Sequence, residues 1–234
     1  MKKNGMARIA QIFGIMLGSV LFLLSCLTSY EAEEGPGLPC EGGTIAVAED
    51  LFEDQDLGNG VIVKRFHTND NLYWGAYGYT LWTVWGSEEI TDTFTSRTVR
   101  MWKSKGNNYA GYGMVICQGS RVHEGQTKLT MLTVMINNSG YYAIGKVTEG
   151  RYETLRWWTA SPNLYAHAGG PNIIGIRCDS VSEVFTLSIN GTDTWTFKDE
   201  LEPKHFGGKN GYVVVISPLD AFPENPVDVY FEEL

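Results

Sequence analysis

Three short acidic runs hold the residue types that general acid–base chemistry needs. Glycoside hydrolysis usually takes two carboxylates about 5–5.5 Å or about 6.5–9.5 Å apart, flanking the scissile bond. "SEEITDTF" supplies Glu88, Glu89 and Asp92; "FEDQD" supplies Glu53, Asp54 and Asp56; "YFEEL" supplies Glu232 and Glu233. Along a strand, side chains alternate between faces. Glu89 and Asp92 are three apart and point to opposite faces, as do the neighbours Glu232 and Glu233. Asp54 and Asp56 can share a face, but Gly58 and Gly60 beside them predict a loop. No run places an acid pair squarely on one strand, so solvated charge explains each, and no catalytic residue is assigned.

The other reactive types are equally scattered. His67, His123, His167 and His205 lack the spacing of a metal pair, and no CxxC occurs. No nucleophile elbow and no phosphate loop is present. No metal ligand set and no cofactor is expected, and calcium held by loop oxygens has no support in the residues.

Aromatic rings are the remaining lead, because they offer faces on which the C–H surfaces of sugars stack. "NLYWGAYGY" is interrupted by glycine and flanked by polar residues, which predicts a loop exposing Tyr73, Trp74 and Tyr77. Tyr165 follows a turn-like segment. "RYETLRWWTASP" sets Trp157 beside Trp158. Strict alternation puts Trp158 on one face with Tyr152, buried and capping the core at a sheet edge. It puts Trp157 on the other face with Leu155, as the more exposed ring and the leading ligand contact.

The elements that must position these residues are strands. The chain has 234 residues, 27 glycines, 12% aromatic and 19% charged residues, a mixture that suits an all-β domain with many tight turns. Its net charge of −9, with no cluster of Lys and Arg, argues against a nucleic-acid partner. Val99 and Met101 alternate with Arg100 and Trp102 in "SRTVRMWK". "KLTMLTVMI" is apolar on both faces, which predicts a central strand between two layers, with Thr130, Leu132, Val134 and Ile136 as its cleaner face. Turns at Asn137–Gly140 and Glu149–Gly150 make a three-strand meander with "YYAIGKV" and "RYETLRWW". Asn190–Gly191 between "FTLSI" and "TDTWTF" is a strong hairpin signal. Ten or more short strands without repeats predict a two-sheet antiparallel sandwich over residues 44–234.

The N-terminus is set apart from that domain. Lys2, Lys3 and Arg8 precede an apolar run from Ile9 to Leu24, shorter than the roughly 20 residues of a spanning helix. It ends in Leu23-Leu24-Ser25-Cys26, which resembles the lipobox of bacterial lipoproteins, with Leu24 bulkier than the pattern prefers. The resemblance implies a signal peptide of residues 1–25, a diacylglycerol on the Cys26 sulfur and acylation of the new amino terminus. It makes the membrane a partner and the domain extracytoplasmic. Leu27 stands where an inner-membrane retention signal would place Asp, which favours the outer membrane. Residues 26–43 carry Gly, Pro and Glu without apolar period and read as a flexible acidic tether. Cys40, Cys117 and Cys178 remain. A Cys117–Cys178 disulfide and a pair of buried free thiols are both compatible with their places near the ends of apolar runs.

From Gly111 onward, the order of motifs resembles the concanavalin-A-like lectin/glucanase superfamily in its laminin-G-like branch. The resembling pieces are "GYGMVIC", the aromatic meander ending at Trp158, Ser161 and Leu164, "PNIIGIRC", "FTLSINGTDTWTF", and the pair "GGKNGYVVV" and "VDVYFEEL". "EDLFEDQD" resembles the opening of the same domain. The resemblance implies a jelly roll, a fold that hosts lectins, hydrolases and adhesive modules alike. The glucanases of that superfamily carry Glu-x-Asp-x-(x)-Glu on one strand, a motif absent here. The leading expectation is a lipid-anchored module that binds carbohydrate through aromatic residues. The alternatives are a structural or protein-interaction envelope lipoprotein, and a glycan hydrolase with an unrecognised acid pair.

Overall fold

A computed structural model of the chain describes residues 44–47, 51–58, 60–69, 80–85, 93–123, 126–148, 151–166, 170–199, 207–217, 220 and 226–234. Cys26, Tyr73, Trp74, Tyr77, the signal segment 1–25, the tether 26–43 and the acids Glu88, Glu89 and Asp92 lie outside the described residues. Fourteen strands are described: β1 Thr44–Val47, β2 Phe52–Asp56, β3 Ile62–Thr68, β4 Thr80–Trp85, β5 Ser96–Lys105, β6 Tyr112–His123 and β7 Gln126–Ile136, then β8 Tyr141–Thr148, β9 Arg151–Ala160, β10 Asn172–Asp179, β11 Val184–Ile189, β12 Thr192–Phe197, β13 Lys209–Ile216 and β14 Val227–Glu233. "FEDQD" is therefore a strand rather than the expected loop. It is paired antiparallel with β3, where Lys64 and Arg65 stand opposite Asp54 and Glu53.

The strands form two seven-stranded sheets. The front sheet runs β1-β4-β13-β6-β7-β8-β9 and the back sheet β12-β11-β10-β5-β14-β3-β2. All pairs are antiparallel except β1 with β4. The meander of "KLTMLTVMI", "YYAIGKV" and "RYETLRWW" is β7-β8-β9, as the turns predict. The Asn190–Gly191 turn has both residues at positive φ, 50° and 82°, which matches the twist of the hairpin joining β11 and β12.

Between the sheets lies one large apolar core. Met114, Ile116, Leu132, Val134 and Ile144 of the front sheet meet Val99, Met101, Phe185, Leu187 and Phe231 of the back sheet, all essentially without exposure. Val99 and Met101 point in while Arg100 points out to pair with Glu232 at 2.6 Å, as alternation requires. Three buried cations cross or edge this core, and each is paired. Arg97 of β5 reaches the front sheet and donates to Val115 O (2.9 Å) and Gly211 O (2.5 Å), with Glu233 as its counter-ion. Lys103 Nζ donates to Ala110 O at 2.6 Å and Asn107 O at 3.2 Å. Lys146 is wholly buried against Asp199 at 2.5 Å.

Cys117 and Cys178 stand in opposite sheets, and both are free thiols. Burial pushes the Cys117 thiol up, with nearby Cys178 adding to the shift. Cys117 packs as a small hydrophobe in the inter-sheet core. It occupies a bulge in β6 at φ 54°, where the pairing with β7 slips between Ile116 and Gly119.

Candidate functional site

The front sheet has a second apolar face, turned away from the inter-sheet core. Val115, Met131, Met135, Val147, Val213 and Val215 form a separate buried cluster there with Ala143, Tyr152 and Trp158. All fourteen described strands are used in the two sheets, yet every member of this cluster is 6% exposed or less, so the face is not open to solvent. β7 is buried on both faces for this reason. Leu132, Val134 and Ile136 look into the sandwich, and Met131 and Met135 look the other way.

Two rings lie flat on the sheet because glycines make room for them. A Cβ at Gly145 would overlap the Tyr152 ring and hydroxyl. A Cβ at Gly111 would come within 2.8 Å of Trp158 Cη2. Trp158 thus reaches from β9 to the start of β6, and Tyr152 covers β8.

The polar atoms of these rings have no partners. Trp158 Nε1, Tyr152 Oη and Thr133 Oγ1 are all buried without a hydrogen bond. Thr133 stands directly opposite both Val115 and Gly145, so it shares the outer face with them. Its hydroxyl sits close enough to Tyr152 to temper the phenol, yet neither oxygen makes a hydrogen bond of normal geometry. Burial pushes the Tyr152 phenol up, so it stays neutral and able to donate. An unpaired buried polar group costs about 1–3 kcal/mol. Three on one face are a sizeable standing cost.

Trp157 and Trp158 are arranged differently from simple alternation. Tyr142 pairs with Thr159, Ile144 with Arg156, and Gly145 with Thr154. Two bulges therefore interrupt β9, and both tryptophans stand opposite Ala143. Trp158 is 6% exposed, but in the outer cluster rather than at the rim of the inter-sheet core. Trp157 is 50% exposed at the edge strand, so the expected order of exposure holds although the parity behind it does not.

Tyr165, the other described candidate, is 54% exposed. Its backbone is fixed by Asn172, which accepts from Tyr165 N at 2.8 Å and donates to Tyr165 O at 3.2 Å. Tyr109 is equally exposed and lies across the β7–β8 turn from it. Asn137 Nδ2 donates to Tyr109 O, and Ser161 N donates to Gly140 O. Tyr165 is not part of the outer cluster. Tyr152 is, on the face it shares with Trp158 as alternation predicts, and Thr133 adjoins it; neither is among the ligand candidates that the sequence suggests. The tight Gly145 position was their only local signal.

The described acids of the candidate clusters are engaged elsewhere. Asp54 pairs with Lys64 (2.6 Å), Glu53 with Arg65 (2.9 Å), Glu232 with Arg100 and Glu233 with Arg97. Asp56 accepts from Gly58 N at 2.7 Å. Among the described residues no three His, Cys, Asp or Glu side chains gather as a metal site would need. His67 Nδ1 lies 3.2 Å from Arg65 and 3.7 Å from Asp228, within a surface ion-pair network.

Comparison with solved structures places the fold. The chain is similar to a Bacillus licheniformis β-glucanase at 9% identity, with a TM-score of 0.53 over 86% of this chain and 91% of that one. It is similar to a Bacteroides ovatus GH16 protein solved with a mixed-linkage glucan product, at 9% identity and TM-score 0.56, over 86% and 92% of the two chains. It is also similar to a Bacillus subtilis protein of unknown function with a galectin-like fold, at 11% identity and TM-score 0.51, over 84% and 96%. The chain has the concanavalin-A-like jelly-roll fold that its strand order resembles. No protein-family model matches the sequence, and a search of the curated proteins finds no match.

Proposed function

We propose that this chain is a lipid-anchored, extracytoplasmic module that binds carbohydrate at the edge of its front sheet, around the exposed ring of Trp157. The observation that carries the reading is the half-exposed ring of Trp157 on the edge strand β9. An exposed indole supplies a stacking surface for the C–H face of a sugar. The jelly-roll neighbours include proteins named for glucans, which is consistent with a glycan ligand here. Cys26 holds the lipid, and residues 26–43 tether the domain to the outer membrane. A printed glycan array probed with the full chain in detergent is the test. Reproducible binding that falls at least tenfold in Trp157→Ala supports the reading, and an array without hits refutes it. For the anchor, Cys26→Ala should move the chain from the membrane to the soluble fraction.

A second reading rests on a different observation. Tyr109, Trp157 and Tyr165 are large rings that are each about half exposed. That chemistry suits the apolar surface of a protein partner in the envelope. Capture of a partner that survives competition by sugars, together with an empty glycan array, selects this reading.

A further inference from the structure

Five arginine side chains are described, and four of them bond a carboxylate. Arg65 bonds Asp228 at 2.8 and 3.1 Å, Arg97 bonds Glu233, Arg100 bonds Glu232, and Arg177 bonds Asp193 at 2.7 and 2.8 Å. Arg156 bonds none. Its Nε is buried without an acceptor, and its guanidinium carbon lies 5.3 Å from the centroid of the Trp195 ring. This is unusual in a chain with 27 acidic residues and 18 basic ones, where a free carboxylate is easily found.

The cation also lies over a column of stacked rings. Trp195 stacks on Phe197 at 5.3 Å and 14°, and Phe197 stacks on Phe185 at 5.0 Å and 15°. Arg156 is the outermost member of this column of rings. Stacking occupies the face of a guanidinium and leaves its edge, with the N–H donors, free for a planar anion. Beside it an open depression at the edge of the sandwich is lined by Leu155, Val184, Trp195, Phe197 and the exposed Lys198. Trp157, the next residue along β9, is half exposed.

We infer that Arg156, with Lys198, binds the carboxylate of a uronic acid residue carried on an otherwise neutral glycan, with Trp157 stacking on the sugar beside it. The fork of the guanidinium matches a carboxylate bidentately. The net charge of −9 opposes a continuous polyanion, so the ligand carries isolated acids rather than a run of them. This inference rests on the carbohydrate reading and adds a subsite at the sandwich edge.

The test compares two probes on the full chain in detergent by calorimetric titration. One is an oligosaccharide of neutral sugars bearing a single glucuronic acid; the other is the same molecule with that acid reduced to the alcohol. Wild type should bind the acid at least tenfold tighter, and the preference should shrink with added salt. Arg156→Gln should abolish the preference and leave affinity for the reduced probe unchanged. Lys198→Gln, at an exposed position that folding does not need, should cut the preference about threefold and keeps the test readable if Arg156→Gln unfolds. Equal binding of both probes by wild type, or a preference that survives both substitutions, overturns the subsite while leaving the carbohydrate reading intact. Binding of neither probe, together with an empty glycan array, overturns both.

Discussion

Replacing Tyr152 by Phe should make the protein more stable. The Tyr152 hydroxyl is buried, neutral and unpaired, on a residue 4% exposed. A buried polar group in that state costs about 1–3 kcal/mol, and removing only its oxygen recovers most of the cost without opening a cavity large enough to matter. For a domain of about 200 residues, each kcal/mol corresponds to about 2–4 °C in Tm. The expected change is therefore a rise of several degrees. Tyr112 is the internal control. It is equally buried, but its hydroxyl donates to Asn138 Oδ1 at 3.0 Å. Tyr112→Phe should lose about 1 kcal/mol, the ordinary net worth of a hydrogen bond. Urea unfolding of the full chain in non-ionic detergent, followed by tryptophan fluorescence, reads both. If Tyr152→Phe destabilises as much as Tyr112→Phe, the hydroxyl has a structural partner and the argument from unpaired atoms collapses.

Other outcomes follow from the same geometry. Gly145→Ala should drive Tyr152 off the sheet and cost about 1–3 kcal/mol in urea unfolding, the usual range for overpacking; a neutral result would mean the ring is loosely held. Asp199→Ala should cost about 3–5 kcal/mol because it leaves Lys146 charged and buried, read as the drop in unfolding midpoint. Lys103 gives a pH signature. Burial lowers it from 10.5 to about 8, against a smaller opposing pull from Asp220. Between those values the unfolded chain holds the extra proton, so this residue's contribution to stability rises with pH. From pH 7 to pH 9 wild type should gain about 1–1.5 kcal/mol relative to Lys103→Met; a flat difference would show that Lys103 titrates normally.

Much of the fold was written locally in the chain. Alternation in "SRTVRMWK" gave the true faces of β5, because each position needs only its own parity to be placed. The two apolar faces of "KLTMLTVMI" were legible for the same reason, and both prove buried. The site was less legible because its determinants are pairwise. Gly145 and Tyr152 are seven residues apart on neighbouring strands, and nothing in either position announces that one makes room for the other. The run "FEDQD" looked like a loop beside Gly58 and Gly60, but Lys64 and Arg65 stand opposite its acids and favour pairing. Arg156 stands out only once the partners of Arg65 and Arg97 are known, and those lie more than a hundred residues away.

The tryptophan pair shows how a bulge changes what adjacent residues can do. With strict alternation, one ring of Trp157–Trp158 would lie on each side of the sheet, and the two could not serve one surface. The slipped pairing sets both opposite Ala143, so a buried ring and an exposed ring adjoin at the edge of β9. A stabilising layer alone would not need this arrangement, nor the polar atoms within it. Phe at 152 and 158 and Val at 133 would fill similar space with nothing left unpaired. The buried cations Arg97, Lys103 and Lys146 are all matched with acceptors. Of the seven unpaired buried side-chain atoms among the described residues, three fall on this one face and a fourth, Arg156 Nε, on the same edge strand. The other three, on Gln55, Thr148 and Asn210, are spread over other strands, so the unpaired atoms gather around β9, the strand that also carries the exposed Trp157.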